Sequence, residues 1–283
     1  MRARSWDADA IAALGLPPEL FPEIREANQP VGPLCDALAE RTGLPAGTAV
    51  ITPIGDHQAS FLGSVRDFHH DVLVNVGTGA QVAVYTDGEQ FAPPAELRPL
   101  PVRNNLLSNV GLAGGWSYQA LENFFRRICR DVFQVDSERP VYETLNRLAA
   151  TVPPGCDGLV CDALFSGSRA DPSRRGTFTG VTPQNLTPGH FARAVLEGMA
   201  RSLAEGYRSI TATENRPRRR TVAAGNALRE NAVLREHVRE AFGLPLFFTR
   251  HREEAAFGAA LMAAVGVGLF PSLEDAAKLI EYE

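Results

Sequence analysis

Val-Leu-Val-Asn-Val-Gly-Thr-Gly-Ala-Gln-Val-Ala-Val-Tyr, residues 72–85, is the most informative stretch of this sequence. Its apolar residues predict two β-strands, 72–76 and 81–85, joined by a tight hairpin turn at Gly77-Thr78-Gly79. The glycines of such a turn can adopt positive φ. Exposed backbone N–H groups, one hydroxyl and no bulky side chain would let a phosphate approach the turn. Tight hairpins require glycine in any case, so the turn alone is weak evidence for a phosphate site.

Strands and helices alternate from this hairpin to the C-terminus. The pattern predicts strands at 106–112, 158–165, 177–178, 221–224 and 246–249, and helices at 118–130, 141–150, 187–211, 228–242 and 253–265. The longest predicted helix carries Phe191, Val195, Met199 and Leu203 at near four-residue spacing, so one of its faces is expected to be buried. This alternation indicates an α/β layer rather than an array of repeats.

The first fifty residues differ from the rest of the chain. Two short helices are predicted, at 7–14 and 33–41, and the glycine and prolines between them prevent this segment from forming a core by itself. A strand at 49–54 then leads through Gly55 and Asp56 into a helix at 57–65. A carboxylate between a strand and the start of a helix stays ionised. Asp56 is therefore either a helix cap or a catalytic base.

A second junction of interest lies at strand 221–224, which leads into Gly225-Asn226-Ala227 and then into a helix. Such a junction suits a nucleotide, because small residues allow close approach and polar ones are available to the base. It lacks the three-glycine spacing of a Rossmann fingerprint and the Gly-Lys-Ser/Thr of a Walker loop.

The composition excludes several classes of function. With a net charge of −5 the chain has no electrostatic footprint for nucleic acid or an anionic membrane, and the cluster of Arg216 and Arg218–Arg220 is predicted to be a solvated loop. No apolar run approaches the roughly 20 residues that span a bilayer. The four cysteines lack metal-ligand spacing, and no secretion signal follows Met1. These features predict a reduced cytoplasmic protein.

The order of the motifs is more informative than any one of them. It resembles the second half of the FGGY carbohydrate kinases, from Trp6 to about Val267, in the succession Gly55-Asp56-His57-Gln58-Ala59, Asn75 to Gly79, Gly167 to Pro172, Ala194 to Gly198, Gly225 to Asn231 and Gly258-Ala259-Ala260. Within that family the segments 164–169, 226–228 and 234–242 are most similar to sedoheptulokinases. The resemblance implies an α/β fold, an actin-like or ribonuclease H-like ATPase domain, namely the second domain of a hexokinase/actin-type sugar kinase.

The resemblance also implies roles for particular residues. Asp56 matches the catalytic base that takes the proton from the sugar hydroxyl as it attacks the γ-phosphoryl group of ATP. The other matched positions bind the nucleotide: Gly77, Thr78 and Gly79 contact its phosphates, Gly115 and Gln119 line its cleft, and Gly225, Asn226 and Asn231 contact adenosine. ATP and Mg²⁺ are the implied cofactors. Because Mg²⁺ is held mainly by phosphates and water, no protein ligand for the metal is assigned.

The family's first domain begins with a strand and an Asp-x-Gly-Thr/Ser turn, and no such turn precedes Asp56. The expected organisation is therefore a remnant of the first domain and a linker at 1–54, the C-terminal kinase domain at 55–270 and a C-terminal helix at 271–283. Phosphoryl transfer needs groups on both sides of the cleft, so the isolated chain is expected to catalyse poorly. Without the rest of the first domain, this remnant should expose apolar surface to which a partner chain or a second copy can bind.

Three functions stay open at this stage. The first is a kinase for a ketose, with sedoheptulose as the favoured acceptor and xylulose, ribulose or glycerol as alternatives. The second is a nucleotide-binding or interaction module that has lost catalysis. The third is an α/β domain whose glycines serve only turns, which the family-ordered succession of motifs argues against.

Overall fold

The computed structural model describes residues 5–102, 104–135 and 141–283. Numbered in chain order, its strands are β1 (Pro30–Pro33), β2 (Ala49–Ile51), β3 (Asp71–Val76), β4 (Ala80–Thr86), β5 (Glu96–Pro99), β6 (Asn105–Leu112), β7 (Val160–Asp162), β8 (Thr177–Thr179), β9 (Arg220–Ala224) and β10 (Leu246–Phe248). Its α-helices are α1 (Ala8–Ala13), α2 (Asp36–Thr42), α3 (Asp56–Ser64), α4 (Gly115–Arg127), α5 (Val141–Thr151), α6 (Pro188–Thr211), α7 (Asn226–Glu230), α8 (Ala232–Phe242), α9 (Glu254–Gly266) and α10 (Leu273–Ala277). Short 3₁₀ and π turns lie at Pro18–Leu20, Cys156–Gly158 and Ile128–Val132.

A mixed six-stranded sheet organises the chain, in the order β10-β9-β3-β4-β6-β5. The strands β3, β9 and β10 are parallel, whereas β3–β4, β4–β6 and β6–β5 are antiparallel pairs. The predicted hairpin is present, with Val76 opposite Ala80 and Leu73 opposite Ala83. The two parallel strands that lead into loops, β3 and β9, therefore end at the same edge of the sheet, where their loops meet.

Helices cover both faces of the sheet. Alternate residues of β3 point to opposite sides: Val72, Val74 and Val76 join the core beneath α4, α5, α6 and α8, while Leu73 joins the core beneath α3, α9 and α10. Burial on both faces explains why residues 72–74 of this strand are apolar without alternation. The structure thus confirms the predicted α/β class.

Two glycines let α3 and α9 pack backbone against backbone. A side chain at Gly63 would run into the carbonyl oxygen of Glu254, and one at Gly258 into the carbonyl oxygen of Ala59. Glycine is required here for close approach of two helices rather than for an unusual φ. The contact fixes the position of α3, whose first residue is Asp56.

The segment from residue 5 to 54 lies outside the main sheet. Its strands β1 and β2 pair with each other in a separate two-stranded sheet. Thr52 ties the segment together by donating its hydroxyl to the carbonyl of Glu26 at 2.8 Å. Much of its apolar surface faces solvent, at Leu14, Leu16, Leu20, Ile24, Val31, Leu38, Leu44 and Val50. It adds little to the two cores described above.

Several predicted elements differ from the structure. The helix predicted at 228–242 is divided into α7 and α8, because the side chain of Asn231 accepts the N–H of Leu234 at 2.9 Å and caps a new helix. The helix predicted at 271–283 is confined to α10. After it, Tyr282 forms a bridge to Thr249 and donates its hydroxyl to the carbonyl of Ser64, which holds the terminus in an extended form.

The arginine cluster at 216–220 is only in part the solvated loop that the sequence predicts. Residues 214–219 form no helix or strand and Arg219 is exposed, whereas the other three arginines are partly buried. The side chain of Arg218 is 2% exposed and donates to the carbonyl of His69 at 2.9 Å. Arg220 opens β9 and pairs with the buried Asp71 at 2.7 Å. Arg216 pairs with Asp87 at 3.2 Å, so three of the four arginines contact neighbouring elements of the fold. Within the described part of the chain, no helix is long and apolar enough to cross a membrane.

Candidate active site

The hairpin between β3 and β4 is fixed to the start of α4. The N–H of Gly115 donates to the carbonyl of Gly77, and the N–H of Trp116 to that of Thr78, both at 2.9 Å. Neither Gly77 nor Gly79 has positive φ, so the expectation from tight turns is not met. A side chain at either glycine would enter open space. Their role is instead to leave the backbone of the tip bare.

The junction between β9 and α7 does require glycine for its conformation. Gly225 has φ +86°, and a side chain there would collide with the carbonyl oxygen of Val76 in β3. Only glycine meets both conditions. As a result Asn226, the first residue of α7, lies at the same edge of the sheet as the hairpin.

Hairpin, α4 and the β9–α7 junction enclose one cleft of about 540 Å³. Its lining includes six of the nine residues that the sequence assigned to the site: Gly77, Thr78, Gly115, Gln119, Gly225 and Asn226. These residues are up to 149 positions apart in the chain, counting from 77 to 226. The structure therefore brings the nucleotide-binding part of the prediction together.

Seven lining residues were not assigned from the sequence: Trp116, Glu122, Tyr142, Ala227, Glu230, Arg252 and Glu253. Trp116 adjoins Gly115 and is 61% exposed, an unusual state for the largest apolar side chain. Because Trp116 directly follows Gly115, which the sequence assigned to the cleft, its position could have been inferred. Tyr142 and Arg252 come from segments without a motif, so no local pattern marks them.

Two predicted binding residues lie outside this cleft. Gly79 lines a second cleft of about 510 Å³, which shares Thr78 and Trp116 with the first. Asn231 is only 1% exposed and donates to the side-chain oxygen of Asn146 at 2.8 Å, in addition to capping α8. Its contacts tie α8 to α5 behind the cleft wall. Direct contact between Asn231 and a ligand is not part of this arrangement.

Asp56 also lies outside both clefts, as an exposed residue in the first turn of α3. The N-cap of the helix is Gly55, and within the described ranges the Asp56 carboxylate accepts only the N–H of the adjacent His57, at 2.7 Å. A capping residue would precede the helix and accept an N–H two or three residues further along. Asp56 therefore does not act as the cap, and its carboxylate is accessible.

His57 is buried directly behind Asp56. Its Nε2 lies 3.0 Å from the hydroxyl of Ser108 in β6, while its Nδ1 has no hydrogen-bond partner among the described residues. Burial, and secondarily the positive charge of Arg98, lowers the pKa of His57 from 6.5 to about 4. The imidazole is thus neutral at physiological pH and connects the first turn of α3 to the sheet.

Comparison with known proteins identifies the family. Residues 72–267 match the C-terminal domain of the FGGY family of carbohydrate kinases, and residues 1–63 match the N-terminal domain of that family. The chain belongs to the FGGY family of carbohydrate kinases. An FGGY relative, a glycerol kinase from Trichlorobacter lovleyi, is 29% identical across 99% of this chain and 54% of its own length. The sedoheptulokinase of Homo sapiens is 26% identical across 92% of this chain and 54% of its own length.

Solved structures of FGGY kinases share the fold. Xylulose kinase from Rhodospirillum rubrum superimposes with a TM-score of 0.81 at 27% identity, covering 98% of this chain and 55% of the other. This likeness confirms the predicted actin-like ATPase fold. The chain spans about half the length of the relatives it matches. Glycerol, sedoheptulose and xylulose kinases of the FGGY family match at similar identity, so similarity alone does not select a sugar.

Proposed function

We propose that this chain is the nucleotide-binding half of a carbohydrate kinase, which transfers the γ-phosphoryl group of ATP to a hydroxyl of a ketose. Sedoheptulose, giving sedoheptulose 7-phosphate, is the favoured acceptor because the segments 164–169, 226–228 and 234–242 resemble sedoheptulokinases. The observation that carries the proposal is the single cleft formed by the bare hairpin tip, the start of α4 and the β9–α7 junction.

The residues of the cleft fit a nucleotide with its Mg²⁺. The open space over Gly77 would let phosphates approach the backbone, and the hydroxyl of Thr78 adds a hydrogen-bonding group. Gln119 and Asn226 offer amide groups to the adenosine portion. Mg²⁺, when bound with the nucleotide, would neutralise part of the phosphate charge and be held mainly by phosphate oxygens and water.

Asp56 is proposed as the general base. Its carboxylate is exposed and is not engaged in capping, so it is available to accept the proton of a sugar hydroxyl. General-base assistance of this kind typically contributes about 10²–10⁴-fold to the rate. The buried His57 supports it from behind, since it holds the first turn of α3 against β6.

Catalysis is proposed to need a further domain. Residues 1–54 would be the remnant of a first domain and a linker, 55–270 the C-terminal domain and 271–283 a terminal segment. Because phosphoryl transfer depends on groups from both sides of a cleft, the isolated chain should have little sugar kinase activity. Robust ATP consumption that depends on sedoheptulose would contradict this expectation.

A partner chain with the first domain, or a second copy of this chain, is proposed to cover the exposed apolar residues between 14 and 50. Sedimentation and binding of a hydrophobic dye test this proposal. A monomer that binds no dye would count against it.

Two alternatives have specific support. Xylulose or glycerol could be the acceptor, since kinases for both are among the relatives of similar identity, and ribulose belongs to the same chemical class as xylulose. Phosphorylation of each sugar after a first domain has been restored would choose between them. A nucleotide-binding module without catalysis is the second alternative, and retention of an accessible Asp56 argues against it.

The test of the nucleotide site is calorimetric titration of the full chain with Mg-ATP and Mg-ADP. An Asn226→Trp variant should fill the cleft and abolish binding. Glu236→Trp, on the exposed face of α8 and outside the cleft lining, is the matched control and should bind normally. Absence of saturable binding by the unaltered chain at millimolar nucleotide would overturn the proposal.

A further inference from the structure

The charges that line the nucleotide cleft are unevenly distributed. Three carboxylates, those of Glu122, Glu230 and Glu253, face a single cation among the lining residues, Arg252. Glu122 is also paired with Arg126, one turn further along α4, at 2.9 Å. A nucleotide di- or triphosphate brings several negative charges into this space. Among the residues that the structure describes, the cleft therefore has one guanidinium that can compensate for phosphate charge directly.

Arg252 is available for such a contact. Its side chain is exposed, and it forms no hydrogen bond or ion pair with any other residue that the structure describes. By contrast Arg250, two positions earlier on the same loop, donates to the carboxylate of Glu281 at 2.6 Å. The two arginines thus share a loop, a residue type and exposure to solvent, but only Arg252 lines the cleft.

The loop that carries Arg252 is held from both sides. Arg229 donates to the carbonyl of Thr249 at 2.8 Å and to that of His251 at 3.1 Å. The same guanidinium group pairs with Glu254 at 3.1 Å, at the start of α9. The ring of His251 donates to the carbonyl of Gly63 at 2.7 Å, which links the loop to α3. Residue 252 is consequently presented to the cleft on a backbone that is already ordered, which lowers the entropic cost of binding.

We propose that Arg252 binds the phosphate groups of the nucleotide, in the cleft that it shares with Gly77 and Thr78. The inference rests on the proposed nucleotide site. A guanidinium offers planar, paired N–H donors that match two phosphate oxygens, and its hydrogen bonds to an anion are stronger than those between neutral groups. The hairpin tip would supply neutral donors to the phosphates, and Arg252 the compensating charge.

The test compares ligands that differ only in phosphate number. Calorimetric titration with adenosine, AMP, Mg-ADP and Mg-ATP is carried out on the full chain and on Arg252→Gln, Arg252→Lys and Arg250→Gln variants. Arg252→Gln should leave adenosine affinity unchanged and weaken Mg-ADP and Mg-ATP binding by about tenfold or more. The affinity of Arg252→Lys for Mg-ADP and Mg-ATP should lie between those of the unaltered chain and Arg252→Gln, because an ammonium keeps the charge but not the paired donors. Arg250→Gln removes the same charge from the same loop and should match the unaltered chain.

Added salt gives an independent reading. Raising the ionic strength should weaken Mg-ADP binding by the unaltered chain more than by Arg252→Gln, because an exposed phosphate–guanidinium pair is screened. Thermal unfolding of each variant shows whether the fold is retained. If Arg252→Gln loses the same factor in affinity for adenosine as for Mg-ADP, Arg252 has a structural role and the inference is overturned. Equal Mg-ADP affinities in Arg252→Gln and the unaltered chain would overturn it while leaving the nucleotide site intact. Failure of the unaltered chain to bind any of the ligands would overturn both.

Discussion

Acidification should destabilise this protein through His57. The folded chain holds its imidazole neutral until about pH 4, whereas the unfolded chain protonates it near pH 6.5. The neutral His57 imidazole therefore makes its full contribution to the free energy of unfolding above pH 6.5, and this contribution is lost as the pH falls toward 4. The loss is about 1.4 kcal/mol per pH unit, or about 2 kcal/mol in unfolding free energy between pH 6.5 and pH 5.

Urea unfolding at pH 7.5 and pH 5, followed by circular dichroism, measures this effect. A His57→Gln variant should be less sensitive to acid than the unaltered chain by about 2 kcal/mol, because other titrating groups contribute equally to both proteins. Ser108→Ala removes the hydrogen bond to Nε2 but leaves the ring buried, so it should keep most of the acid sensitivity. An identical loss of stability in His57→Gln and the unaltered chain would refute the assignment.

Three further substitutions probe the packing, the cleft and the proposed base. Gly258→Val should lower the free energy of unfolding in urea by more than about 2 kcal/mol, because its side chain would meet a backbone carbonyl of α3. The control Ala259→Val, on the exposed face of α9, should change it by no more than about 0.5 kcal/mol. Similar losses of stability in the two variants would contradict the close crossing. Gly225→Ala should weaken Mg-ADP binding at least tenfold or unfold the chain, since its φ and its contact with β3 both require glycine; normal binding by a folded variant would disprove that. Asp56→Asn should leave Mg-ADP affinity within about twofold and lower the sugar-dependent rate of a reconstituted kinase by about 10²–10⁴, and an unchanged rate would remove Asp56 as the base.

Local pattern predicted the elements that pack tightly. The hairpin, α6 and the strand before Gly225 follow from apolar runs and periodic spacing, and the structure confirms each of them. Pattern failed where a side chain acts on the backbone. Asn231 interrupts a sequence that is helical in character, because its amide competes for the N–H of Leu234. The strand β5, Glu-Leu-Arg-Pro, is too short and too polar to be distinguished from a loop.

The part of the site that local sequence signals best is its glycines, which with Thr78, Gln119 and Asn226 make up the six assigned residues of the cleft. Gly77, Gly115 and Gly225 lie at junctions between elements. A bare or strained backbone at such a junction requires glycine, and a glycine is a mark that can be recognised in the sequence. Arg252 carries no such mark, because its significance comes from the fold that brings a loop after β10 to the cleft. The prediction for the charge cluster at 216–220 was wrong for Arg218 and Arg220 for a related reason. Sequence does not reveal that Asp71 lies beside Arg220 on the neighbouring strand.

The crossing of α3 and α9 has a mechanical consequence. The helices run antiparallel, since Gly63 lies against Glu254 and Ala59 against Gly258. Because their backbones are in direct contact, we expect the two helices to move together. The loop with Arg252 is attached at one end, and Asp56 lies at the other. We expect any displacement of this loop to be transmitted through α9 and α3 to the Asp56 carboxylate. Slower hydrogen exchange in the first turn of α3 when Mg-ADP is added would support this coupling. Unchanged exchange there would mean that the Arg252 loop and the first turn of α3 move independently.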